Sequence, residues 1–108
     1  MGYQHNSLTN VARPLGRAAR LLGDRASARA DYERALAWAT AIRHRPEIAL
    51  TRLEMAELLL DDALTPALSQ GEREQGREHL EFAIEELRAM KMQPALERAL
   101  RLHSAVEG

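Results

Sequence analysis

Arg13, Arg17 and Arg20 fall at i, i+4 and i+7, which places all three on one face of a helix. Planar guanidinium groups at that spacing can grip carboxylates in bidentate pairs. The same face is also suited to lie in water with only its stems covered. Glu74, Glu78, Glu81 and Glu85 form a second charged row, interleaved with Arg73, Arg77 and Arg88. A solvated surface with weak i,i+4 pairs accounts for it. The adjacent carboxylates Asp61 and Asp62 have no third ligand at useful spacing, and a hard cation needs more oxygens than they supply. His5, His44, His79 and His103 are scattered, with no two at i, i+3 or i, i+4, and no Gly-rich phosphate loop accompanies them. The residues therefore lead us to expect no catalytic site, no metal and no cofactor.

Composition narrows the classes further. The chain has 108 residues, enough for one small domain and not for two. Apolar residues make up 45% and aromatics only 4%, so the core must be built from Ala and Leu, which suits closely packed helices better than a sandwich or barrel. The formal net charge of −1 gives no bulk reason to expect nucleic acid or an anionic membrane. The absence of cysteine excludes disulfides and thiol chemistry. No apolar run is long enough to cross a bilayer, and Met1 to Asn10 has no signal-peptide core. A cytoplasmic protein is the expectation.

Those candidate residues must be positioned by helices, and the helices repeat. Ala28, Tyr32, Ala35, Leu36, Ala39, Ile42 and Pro46 are matched 48 residues later by Gly76, Leu80, Ala83, Ile84, Leu87, Met90 and Pro94. Apart from the prolines, each set follows the apolar stripe of an amphipathic helix. Another helix precedes each. Val11 to Leu22 ends at Gly23–Asp24, a stop followed by a cap, with Pro14 expected to kink it or to begin it. The segment after Pro46 is apolar nearly all round, which marks it as the centre of the domain. Five helices are expected, at roughly 7–22, 25–44, 46–62, 72–91 and 94–105.

The run Leu15-Gly16-x2-Ala19-x3-Gly23-x4-Ala28-x3-Tyr32-x2-Ala35 resembles the tetratricopeptide repeat, in which small residues at fixed spacing let paired helices approach closely. Three features depart from that pattern. Ala19 stands where a tyrosine is usual. Thr40 occupies the proline position, and Pro46 comes six residues late. Eight extra residues separate the helices of the second copy. The resemblance spans roughly residues 12–103. It implies an all-α fold of antiparallel hairpins in a short right-handed superhelix of two and a half repeats. Repeat one would cover about 7–45 and repeat two about 46–92, with an inserted loop at 63–72 and a terminal helix at 94–105. The phrases Tyr32 to Leu36, Leu53 to Leu59 and Met90 to Arg98 are similar to the C-terminal repeat regions of bacterial LuxR/MalT-like regulators and of cyclase- or kinase-fused ATPases. The loop ALTPALSQGE looks like the peptide read from a common bacterial intergenic repeat element. It is expected to be a tolerated insertion.

What the resemblance implies for function is a non-catalytic protein-interaction module. Arg13, Arg17 and Arg20 would line the groove of its inner helices, with Leu50, Leu53 and Glu57 on the next inner helix. Trp38 lies outside the apolar stripe and is either a cover for a neighbouring helix or an exposed contact. The outer faces of the first and last helices, Val11, Leu15 and Leu22 among them, are expected to expose apolar surface. A homodimer, or neighbouring repeats of a larger parent, would cover it. The expected partner is thus a protein or peptide, not nucleic acid or membrane. A segment that senses a small inducer is the alternative, and nucleic-acid binding through the arginine face ranks behind both.

Overall fold

Three turns punctuate the chain in the same way. At each, the backbone enters the left-handed region at Gly23, Arg43 or Lys91, with φ of 82°, 56° and 57°. The amide of that residue donates three residues back, to Arg20, Thr40 or Arg88. The following amide, of Asp24, His44 or Met92, donates five residues back, to Ala19, Ala39 or Leu87. This double closure satisfies carbonyls that a helix end leaves open. Arg43 and Lys91 stand 48 residues apart.

A computed structural model of the chain describes residues 11–60 and 70–107. Among these lie five helices, α1 (Ala12–Leu21), α2 (Arg25–Ala41), α3 (Arg45–Leu60), α4 (Gln70–Ala89) and α5 (Gln93–Glu107), and no strand. The all-helical class expected from the composition is what is observed. The Asp24 carboxylate caps α2 by accepting the Ser27 amide at 3.1 Å. Pro14, Pro46 and Pro94 each fall in a first turn, where a missing N–H removes no helical bond. The helix starts at Ala12 and not at Pro14, and the Leu15 amide already bonds the Val11 carbonyl. The expected inserted loop is shorter at its far end, since Gln70 to Glu72 already belong to α4. Glu72 lies in its first turn, where a carboxylate suits the helix dipole. Residues 61–69, which hold Asp61, Asp62 and the rest of that loop, and residues 1–10, which hold His5, lie outside the described residues.

Consecutive helices pack on one another, and α3 also touches α1 and α5. Directions follow from side-chain pairs. Arg13 meets Glu47, Arg17 meets Glu54 and Arg20 meets Glu57, so α1 and α3 run parallel. Arg45 meets Glu86, Arg52 meets His79 and Gly76 abuts Leu60, so α3 and α4 run antiparallel. The core centres on α3, as its all-round apolar character implied. Ala49, Leu53, Ala56 and Leu60 join Leu80, Ala83, Leu87, Leu96 and Ala99 in one cluster, while Met55 and Leu58 join Ala28 and Tyr32 in another. The small residues sit where backbones come close. Ala28 and Ala83 are completely buried and Ala35 nearly so. A Cβ added at Gly16 would stand 2.8 Å from the Tyr32 ring, and one at Gly76 would stand 2.7 Å from the Leu60 side chain.

Candidate functional site

The three arginines of α1 share a face, as their spacing requires, and that face is turned toward α3. Arg13 Nη1 donates to Glu54 Oε2 at 2.7 Å, and Arg17 Nη2 donates to the same oxygen at 2.7 Å. Arg13 also pairs with Glu47 through its Nε. The other Glu54 oxygen accepts the Tyr32 hydroxyl at 3.0 Å. Glu54 is 1% exposed, a buried carboxylate held by two guanidinium groups and a phenol. One helical turn on, Glu57 takes Arg20 of α1 at 3.6 Å and Arg98 Nε of α5 at 2.6 Å. The acidic edge of α3 thus ties α1 on one side and α5 on the other.

The electrostatics make this cluster a tie and not a proton-transfer device. Burial alone would push the Glu54 carboxyl up. The hydrogen bonds from Arg17 and Arg13 outweigh it, and Glu54 titrates below the ordinary carboxylate range. Burial, and then the facing Glu54 charge, drives the Tyr32 phenol well above its ordinary value, so it stays a donor. A carboxylate saturated by three donors is a poor general base. His79 is separate. Burial, with the charges of Arg52 and Arg29, pushes it down to about 4, and its neutral Nδ1 accepts the Arg52 Nε at 3.0 Å. The Arg52 guanidinium lies 3.9 Å from the centre of the Phe82 ring, a cation–π contact that fixes it over α4.

Arg13, Arg17, Arg20 and Glu57, named from the sequence as partner contacts, are brought together, and they meet one another's elements. The expected face was legible, but what it faces was not. Leu53 is completely enclosed and Leu50 packs at the edge of the same cluster, so Leu53 belongs to the core. Trp38 is half-buried on α2. Glu47 is the member of the cluster that sequence reasoning did not name. The sequence places Glu54 on the next inner helix, Tyr32 in the core and Arg98 beside the basic face, but their pairing with one another is not legible in it.

Arg13 and Arg20 are turned inward and Arg17 is half exposed, while apolar residues on and beside α1 face outward. Val11 is 44% exposed, Leu15 47%, Leu21 81% and Leu22 85%. On the far side of the molecule Leu100 of α5 is exposed beside Glu97, Arg101 and Ser104. A half-open cleft of about 450 Å³ lies between α1, α3, α4 and α5, walled by Leu60, Leu102 and Val106 and edged by Arg20, Arg73, Arg77 and Glu57. Among the described residues no three potential ligands converge on a cation position, and no helix is long and apolar enough to cross a membrane. No protein-family model, curated protein or solved structure matches the chain.

Proposed function

We propose that this chain is a non-catalytic protein-interaction module of tetratricopeptide type, a fragment or relative of the repeat tail of a bacterial signalling or transcription-regulatory protein, working in the cytoplasm. The observation that carries the reading is the outward apolar row of α1, on which Leu21 and Leu22 are more than four-fifths exposed. A contiguous apolar face of that kind on a small domain marks a contact surface. Two further features support the repeat assignment: the burial of Gly16, Ala28, Ala35, Gly76 and Ala83 against neighbouring helices, and the equivalent turns at Arg43 and Lys91. The arginine face contributes stability and register to this module, its guanidinium groups being engaged by Glu47, Glu54 and Glu57.

A photoactivatable residue introduced at Leu22, with Glu33 as an exposed polar control, tests the reading in cells. Protein adducts at position 22 well above those at position 33 are expected. Equal recovery at the two sites would reject it.

One observation favours a second reading, a segment that senses a small inducer. The cleft has the size of a small-molecule site and combines an apolar wall with guanidinium groups. Small molecules with an apolar body are the class its Leu60, Leu102 and Val106 wall suits. A thermal-shift screen against such compounds, with Leu102→Glu as the blocked variant, should show stabilisation of the parent only. No stabilisation by any compound would remove this reading.

A further inference from the structure

We propose that the turn between α4 and α5 is a site of reversible oxidation, at which a hydroperoxide converts the thioethers of Met90 and Met92 to sulfoxides and so loosens α5 from the body.

The chain has four methionines and no cysteine, so thioethers are the only sulfur an oxidant meets. Met1 lies outside the described residues. Met55 is 5% exposed and sits in the cluster formed with Ala28, Tyr32 and Leu58. Met90 and Met92 differ from it in two respects. Both are half-buried, so solvent reaches them. Both also pack against the larger cluster, which joins α3, α4 and α5. Oxidation has structural consequences where a thioether is reachable and engaged in packing at once.

Their place in the backbone decides what the consequence is. Lys91, exposed and left-handed, stands between them. The Met90 amide donates to the Glu86 carbonyl at 2.9 Å and completes α4. Met92 serves both sides of the turn. Its amide donates to the Leu87 carbonyl at 3.0 Å, and its carbonyl accepts the Leu96 amide at 2.9 Å, at the start of α5. Among its described residues α5 fully buries just Leu96 and Ala99, and it packs on α4 and α3. A helix so lightly held depends on its half-buried neighbours at the turn.

In the oxidation a sulfur lone pair attacks one peroxide oxygen. The S–O bond forms as the O–O bond breaks, the proton on the transferred oxygen passes to the departing one, and water leaves. The thioether gives up two electrons and the peroxide takes them. The product carries a strong dipole where an apolar sulfur lay on hydrocarbon, and burying it unpartnered is costly. The turn therefore moves toward solvent and takes the start of α5 with it. Enzymatic reduction of the sulfoxides restores the contact.

Hydrogen peroxide added to the whole folded chain, followed by peptide mass mapping and amide hydrogen exchange, tests this. Met90 and Met92 should each gain one oxygen roughly tenfold faster than Met55, following exposure, whereas in urea the three should react alike. Exchange in α5 should then quicken several-fold while α1 and α2 keep their rates, and methionine sulfoxide reductases should reverse the change. Leucine conserves the volume of methionine, so Met90→Leu with Met92→Leu should fold as the parent does and lose the response. Independently, Met92→Gln, polar at the same place, should loosen α5 without peroxide. Oxidation of Met55 as fast as the pair in the folded chain would overturn the proposal. So would α5 exchange that stays unchanged once both thioethers are oxidised, or a response that survives in the double leucine variant.

Discussion

Glu54 is the residue on which the inner layer turns. It is buried and charged, and it is shared by Arg13 and Arg17 of α1 and Tyr32 of α2. Removing the Glu54 charge weakens three hydrogen bonds at once, although Arg13 keeps Glu47 and Arg17 reaches water. We expect Glu54→Gln to lower the free energy of unfolding by about 1–3 kcal/mol, read from urea denaturation. An exposed helix pair such as Arg29–Glu33, removed in the same way, should change it by less than about 1 kcal/mol. The pH dependence follows from the directions of the shifts. The folded chain holds Glu54 below the unfolded carboxylate value, so its contribution is complete above that value and fades as pH falls through the folded one. His79 also titrates lower in the folded chain, at about 4 against 6.5. The unfolded chain therefore takes up the proton first, and stability declines between those two values. His79→Gln should remove the part of that decline lying above the carboxylate range, measured as thermal midpoint against pH.

At the scale of the helices, the turns are the most exposed to test. Arg43 and Lys91 adopt a left-handed backbone that suits glycine, which the chain uses at the equivalent point, Gly23. Arg43→Gly and Lys91→Gly should each stabilise the fold by about 1 kcal/mol, seen as higher denaturation midpoints with unchanged slopes. These turns also show what could be read from the sequence. Gly23 announced its stop directly. The stops at Arg43 and Lys91 were legible only through the prolines that follow, and the helix ends were accordingly placed two or three residues late. The small residues Gly16, Ala28 and Ala83 told where helices meet, because size alone decides close approach. The arginine row told less. Its spacing settles that three side chains share a face, but whether that face meets water, a ligand or Glu54 depends on a helix that begins more than twenty residues later. Tyr32 could be read as a core filler from its place in the repeat. Its hydroxyl bond to a buried carboxylate could not, because that bond exists only once α1, α2 and α3 are assembled.

Across the whole molecule, the acidic edge of α3 acts as a clasp. Glu57 forms an ion pair with Arg20 of α1 and accepts a hydrogen bond from Arg98 of α5. Glu57→Gln should therefore loosen both at once. Amide hydrogen exchange should quicken in α1 and α5 together, with α4 unchanged. Exchange that quickens in one of the two only would contradict the shared-carboxylate arrangement. The inside-out build of α1, basic toward its neighbours and apolar toward solvent, has a consequence for how the protein answers to electrolytes. Sodium chloride screens the partly exposed guanidinium–carboxylate contacts on one side of that helix. Ammonium sulfate, excluded from protein surfaces, strengthens burial of the hydrocarbon on the other. The two salts at equal ionic strength should thus pull this helix in opposite senses, the first easing it from the body and the second salting its bare side out of solution.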